Sequence, residues 1–98
     1  MSKATPEPRP AVVVQSDLFN PTHASITICP ITSDCVDAPL FRLTVPPGSR
    51  TGLKSVSQVM IDKIVSVPRG AISEEIGECD PQELEAVEDG LRRWLGLG

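Results

Sequence analysis

Arg9-Pro10-Ala11-Val12-Val13-Val14-Gln15, followed by Ser25-Ile26-Thr27-Ile28-Cys29-Pro30-Ile31-Thr32-Ser33, decides the fold of this 98-residue chain. Ala11 to Gln15 is a short apolar, β-branched run without alternation, the pattern of a buried strand. Ser25 to Ile31 alternates, with Ile26 and Ile28 on one side and Ser25 and Thr27 on the other. Pro30 has no N–H to give to a ladder, which predicts a sheet edge or a bulge there. Thr32 and Ser33 fall on the exit from this strand. If the two strands are neighbours, the Arg9 guanidinium and the Thr32 hydroxyl come within reach of one another. Such a pair can grip and polarise a phosphodiester without a metal. The planar arginine fork matches phosphate oxygens two at a time and stays charged. A hydroxyl can donate to an oxygen on which charge develops.

Outward from these two runs, residues 1–8 carry Pro6 and Pro8 and read as an extended arm. Residues 16–23 are turn material marked by Asn20-Pro21. Phe41, Leu43 and Val45 alternate with Arg42 and Thr44, which predicts a half-buried strand. Pro46-Pro47-Gly48-Ser49 is a turn, and Gly52 continues the loop. Ser57 to Val67 is the longest β pattern, with Val59, Ile61, Val65 and Val67 on one face. Lys63 interrupts that face and predicts a bend or bulge. Residues 68–79 read as a connector with a helical turn.

The C-terminus announces a helix. Asp80-Pro81-Gln82-Glu83 supplies an N-cap, a first-turn proline and the glutamate of a capping box. Leu84, Val87, Leu91, Trp94 and Leu95 follow at helical spacing, and Gly96 can close the helix as C′. Acidic residues gather in the first turns and Arg92-Arg93 near the end, the order that suits the helix dipole. Trp94, a large aromatic on the apolar stripe, is expected to anchor in the core. Several short strands ending in one helix predict a mainly β domain over 1–98. Its expected form is a partly closed antiparallel barrel with the helix packed on it.

The formal charge of −4 conceals an asymmetry, +2 over residues 1–69 and −6 over residues 70–98. Overall acidity argues against non-specific binding of long nucleic acid, which depends on phosphate neutralisation. It leaves room for a small basic groove on the β body. Cys29, Cys35 and Cys79 form no paired Cys-x-x-Cys motif, and His23 is the single histidine. A structural zinc site is therefore not expected, and an odd cysteine count without a secretory leader fits reduced thiols. With no apolar run long enough to cross a membrane, the expected location is cytoplasmic. No phosphate loop, nucleophile elbow or dinucleotide fingerprint occurs. His23 reads as a loop residue, apart from the Arg9 and Thr32 motifs.

Three segments together carry a family resemblance: Arg9 to Gln15, Cys29-Pro30-Ile31-Thr32-Ser33, and Gly52-Leu53 followed by Ser57-Gln58-Val59-Met60-Ile61-Asp62-Lys63. In this order and separation the chain resembles the MazF/PemK toxins of bacterial toxin–antitoxin pairs. The resemblance implies a small SH3-like barrel of the CcdB/MazF type, a homodimer, and a metal-independent endoribonuclease acting on single-stranded RNA. It implies no cofactor, a cognate antitoxin as partner and no membrane association. It places the catalytic pair on Arg9 and Thr32. Arg9 would stabilise a phosphorane-like transition state and relay a proton, and Thr32 would position the scissile phosphate. The RNA's own 2′-hydroxyl would attack. Ser33, Arg50, Lys54 and Lys63 would extend the RNA contact.

The resemblance has two gaps. Family members open with a Gly-Asp-Ile-Trp-like strand before the Arg-Pro motif, and this chain is expected to lack it. Where the family often has Asp-Gln or Glu-Gln, this chain has Asp62-Lys63. Two alternatives stay open at this level. The ending Trp94-Leu95-Gly96-Leu97-Gly98 resembles the Trp-Gly terminus with which the related CcdB toxins bind gyrase. A member without its first strand could also serve as an inactive scaffold that binds antitoxin or dimerises.

Overall fold

The computed structural model describes residues 2–4, 9–16, 18–19 and 21–98, the first three by backbone alone. Among the described residues, seven strands precede one helix: β1 (Ser2–Ala4), β2 (Arg9–Val13), β3 (Ser25–Thr32), β4 (Arg42–Val45), β5 (Ser57–Met60), β6 (Val65–Pro68), β7 (Ile72–Glu75) and α1 (Pro81–Leu95). All pairings are antiparallel. The strands follow the order β4-β5-β3-β2-β1-β7, with β6 on β3 off this path. The antiparallel sheet with its C-terminal helix is the architecture expected, and the path ends at β4 and β7, so the sheet is not closed.

The unbroken valine run in β2 has a physical reason. Val12, Cys29 and Ile31 join Val45, Leu53, Val59, Ile61 and Val87 in one core cluster. Ala11, Ile26 and Ile28 form a second cluster, against which Val13, Val67 and Ile72 pack. Successive residues of β2 and β3 thus feed apolar packing on opposite faces, so neither face of β2 needs polar residues. Each fully buried Val or Ile contributes roughly 1.5–3 kcal/mol by its removal from water.

Pro30 is not on an edge strand. β3 pairs with β2 along one side, where Pro30 faces Ala11. On its other side it pairs with β6 through residues 25–28 and with β5 through Ile31 and Thr32. Residues 29 and 30 fall between those two ladders, so the missing N–H of Pro30 costs no ladder bond on that side.

The long β pattern of residues 57–67 is two strands. A 3-10 turn over Ile61–Lys63 separates β5 from β6, where Lys63 predicted a bend. Because of that turn, β5 pairs with the C-terminal end of β3 and β6 with its N-terminal half. Residues 68–79 hold a 3-10 turn, Arg69–Ala71, as expected, and also β7, which was not. Ile72 is the one apolar residue of the exposed Ile72–Glu75 strand that packs on the core, too little pattern to announce it.

Part of the arm expected over 1–8 is a strand. β1 pairs with β2 through Ser2↔Ala11, Lys3↔Pro10 and Ala4↔Arg9, and with β7 on its other side. A first strand is therefore present, short as it is. Residues 1 and 5–8 lie outside the described residues.

The helix forms as its caps dictate. Asp80 accepts the Glu83 N–H at 2.7 Å, and Glu83 accepts the Asp80 N–H at 2.9 Å. Gly96 adopts φ 70°, ψ 32° and ends the helix. Val87 and Gly90 face the core, and a Cβ on Gly90 would stand 3.3 Å from Ile61 Cγ1, so the glycine lets the helix approach closely. Trp94 is half exposed rather than a core anchor, resting against Phe41 with ring centroids 6.0 Å apart. No described helix is long and apolar enough to cross a membrane.

Candidate functional site

The β2–β3 register sets the site. Ala11↔Pro30, Val12↔Cys29 and Val13↔Ile28 are partners. Continued two residues toward the start of β2, the same register brings Arg9 opposite Thr32. Thr32 in turn faces Gln58 across β3 and β5, and Gln58 faces Thr44 across β5 and β4. Residues directly opposite in an antiparallel sheet share a face. Arg9, Thr32, Gln58 and Thr44 thus form one row across four strands.

At the Arg9 end of this row lies an open cleft of about 520 Å³. Arg9, Pro10, Thr32 and Ser33 line one side, and Gly52, Leu53 and Lys54 line another. Ile31, Ser55, Ser57 and Ile76 complete the described lining. Among the described residues, its charged lining residues are Arg9 and Lys54, both exposed. An anion entering the cleft meets two cations and several hydroxyls. The Thr32 hydroxyl accepts the Asp34 N–H at 3.0 Å. A hydroxyl has one donor and two acceptor sites, so this bond orients Thr32 and leaves its proton for a ligand oxygen.

The loop 46–56 is a built wall. Gly52 has φ +72°, and a Cβ there would overlap the Ile76 carbonyl oxygen. A Cβ on Gly77 would overlap the carbonyls of Arg50 and Thr51. Backbone therefore meets backbone, and the Glu78 N–H donates to the Arg50 carbonyl at 2.9 Å. The buried Thr51 hydroxyl donates to the Pro46 carbonyl at 3.1 Å.

Four of the six expected site residues meet in the cleft: Arg9, Thr32, Ser33 and Lys54. Two do not. Arg50 is a clamp. Its guanidinium donates to both Glu83 carboxylate oxygens, at 2.7 and 3.2 Å, and to the Glu78 carbonyl at 3.0 Å. The hydrogen bond to Glu83 raises its pKa further and keeps it charged. Lys63 ends the 3-10 turn after β5, exposed and away from the cleft lining. Its neighbour Asp62 lies 3.5 Å from Arg42 Nε. His23 is exposed, its Nδ1 3.3 Å from the Ser25 carbonyl oxygen, and is no part of the cleft.

Ser55 and Ile76 belong to the cleft without having been singled out. Ile76 is brought there by β7, the strand that carried no clear sequence pattern. Ser55 stands in a polar loop that resembles any other turn.

The chain's relatives agree with one another. A family model described as "PemK-like, MazF-like toxin of type II toxin-antitoxin system" matches residues 2–95. A protein named "Probable endoribonuclease MazF" from Mycolicibacterium smegmatis is 38% identical over 93 residues, 95% of this chain and 84% of that protein. Among solved structures, the Mycobacterium tuberculosis toxin MazF-mt6 superposes with a TM-score of 0.87. It covers 99% of this chain and 96% of its own at 19% identity, a likeness of fold. A MazE–MazF structure from Deinococcus radiodurans matches at 28% identity with a TM-score of 0.77, covering 92% of this chain and 87% of that one.

Proposed function

We propose, because the chain belongs to the PemK-like, MazF-like toxin family of type II toxin–antitoxin systems, that it is a toxin endoribonuclease whose reaction centre is the cleft shared by Arg9 and Thr32. The observation that carries this reading is the meeting of those two residues with Ser33 and Lys54 around one cleft.

The substrate is single-stranded RNA and the nucleophile is its own 2′-hydroxyl. Its oxygen bonds to the adjacent phosphorus while the bond from phosphorus to the 5′-oxygen breaks. The products are a 2′,3′-cyclic phosphate and a 5′-hydroxyl, with the proton lost from the 2′ position balanced by one gained at the 5′ position. The non-bridging oxygens gain charge in the transition state, and Arg9 is the permanent cation placed to meet it. Thr32 donates to a phosphate oxygen and sets its position. Ser33 and Lys54 hold neighbouring parts of the strand, Lys54 through a second phosphate. Charge stabilisation by arginine calls for no metal. Few aromatics are present for stacking, so sequence preference rests on hydrogen bonds and shape.

The related toxins include one solved with its MazE antitoxin. By the same relationship this chain acts in the cytoplasm, as a homodimer, under the control of a cognate antitoxin.

The test is cleavage of a long single-stranded RNA in EDTA, wild type beside Arg9→Ala, with the ends mapped. Cuts at a short recurring sequence that vanish in the variant support the reading. A folded Arg9→Ala protein that cuts at the wild-type rate overturns it.

A further inference from the structure

Gln58 is a buried amide with a task that the cleft lining alone does not reveal. It is 6% exposed in β5, directly opposite Thr32. Its Oε1 accepts the Val36 N–H at 3.0 Å, and its Nε2 donates to the Val36 carbonyl at 2.8 Å. The side chain thus holds both polar groups of one residue in the loop that leaves β3. That loop begins with Ser33 and includes Asp34, whose N–H orients the Thr32 hydroxyl. Cys35 adds a weaker contact, its Sγ 3.8 Å from the Val56 carbonyl oxygen.

Nothing about the fold of β5 demands glutamine at this position. The residues on either side, Ser57 and Val59, are buried as well, and the ladder needs only backbone. A buried primary amide is expensive to desolvate unless both its donor and its acceptor are satisfied. Here both are satisfied by one peptide-bearing residue of the exposed loop. Glutamine is the side chain whose paired donor and acceptor fit a residue's own N–H and C=O.

We propose that Gln58 is a positioning residue for the cleavage reaction. By clasping Val36 it fixes the 33–37 loop, and through Asp34 it holds the Thr32 hydroxyl in the orientation that meets the phosphate. This rests on the ribonuclease reading above, and the experiment separates the two.

Gln58→Glu keeps the acceptor but loses the donor when ionised, and sets a carboxylate against the Val36 carbonyl. When protonated, the introduced carboxyl again offers one donor and one acceptor. Burial raises its pKa above the ordinary glutamate range. Gln58→Met keeps the volume and removes both hydrogen bonds at every pH. RNA cleavage is measured for wild type and both variants from pH 5 to pH 8, with circular dichroism confirming the fold at each point. Val36 amide exchange is measured on the protein alone.

At about pH 8 the Gln58→Glu rate falls roughly tenfold to a hundredfold below wild type, the scale of a small misplacement at a reacting centre. The ratio to wild type climbs back as pH falls, while Gln58→Met stays slow throughout. Val36 exchanges faster in Gln58→Met. Restoration by protonation alone, in a protein folded at every pH, is an effect that a merely structural glutamine does not produce. A pH-independent ratio for Gln58→Glu, or wild-type rates in folded Gln58→Met, overturns the proposal. So does unchanged Val36 exchange, whatever the activity. If wild type itself leaves RNA intact, the ribonuclease reading falls and takes the catalytic part of this proposal with it. The Val36 exchange then still reports on the clasp.

Discussion

Thr32 and Gln58 stand opposite one another on β3 and β5, and each binds the same loop, Thr32 at Asp34 and Gln58 at Val36. The exit of β3 is therefore tied down next to the residue proposed to touch the phosphate. A hydroxyl fixed before the substrate arrives need not be reoriented during the reaction, which is how an aimed donor gains its effect.

Removal of that hydroxyl should separate chemistry from folding. Thr32→Val leaves the Asp34 N–H without its partner, but the residue after Thr32 is exposed and water can replace the bond. We expect a fall in kcat of about 10²–10³, the cost of losing one aimed donor, and an unchanged unfolding midpoint to within a few degrees. Thr32→Ser should keep most of the activity. Single-turnover cleavage beside thermal unfolding checks both; an active Thr32→Val protein removes Thr32 from the reaction.

Arg50 and Lys54 should differ in the salt dependence of RNA binding. Lys54 lines the cleft, whereas Arg50 is held by Glu83 and the Glu78 carbonyl. For a single strand, each phosphate that the protein neutralises adds about 0.7 to the steepness with which log affinity falls against log salt. Lys54→Gln should make the fall shallower by that amount. Arg50→Gln should leave the slope alone and lower the melting temperature, because it releases the loop from the start of the helix. Titration of a 2′-O-methyl RNA, which cannot be cleaved, at several salt concentrations decides the matter.

The wall of the cleft should be intolerant of a single methyl group. Gly52→Ala meets both a positive φ and the Ile76 carbonyl, and Gly77→Ala meets two carbonyls. Each should lose about 1–3 kcal/mol or more, as overpacking does against a backbone that cannot yield. Gly70→Ala has open space around its Cβ and no positive φ. It should be neutral or stabilising by up to about 1 kcal/mol. Denaturant unfolding of the three variants measures the contrast.

The thiols should react in order of burial. Cys35 is exposed, Cys79 is partly buried and Cys29 is fully buried. Burial, with a smaller contribution from Asp62, pushes Cys29 up to about 11 from its ordinary value of 9.0. Burial and then Glu83 also raise Cys79. At pH 8 a thiol reagent should label Cys35 quickly, Cys79 slowly and Cys29 only on unfolding. The linkage has a definite sign. The unfolded chain loses the Cys29 proton near 9 while the folded protein keeps it until about 11. Stability is therefore full below pH 9 and declines as pH rises across that interval. Cys29→Ala should flatten this decline in unfolding curves taken at pH 8 and above.

Local chemistry was legible in the sequence. Asp80, Pro81, Glu83 and Gly96 define the helix because caps involve residues three or four apart. The valines of β2 and the alternation of β3 announce strands because the pleat has period two. Arg9 and Thr32 could be paired as candidates because their motifs carry a resemblance, before any distance was known.

What residues distant in sequence do for one another was decided by tertiary structure alone. Lys63 marked a break in the pattern, but the turn around it sends β5 and β6 to different parts of β3. Arg50 looked like an available cation until the fold brought it to Glu83, 33 residues away. Gln58 and Val36 are 22 residues apart, and no local rule joins a strand glutamine to a loop backbone. Trp94 sits on an apolar stripe that the helix does not fully bury. Propensity and capping act over one turn or one strand. Register, chain return and the partners of buried polar groups depend on the whole sheet, so only its assembly could choose among the cations and amides that the sequence left equivalent.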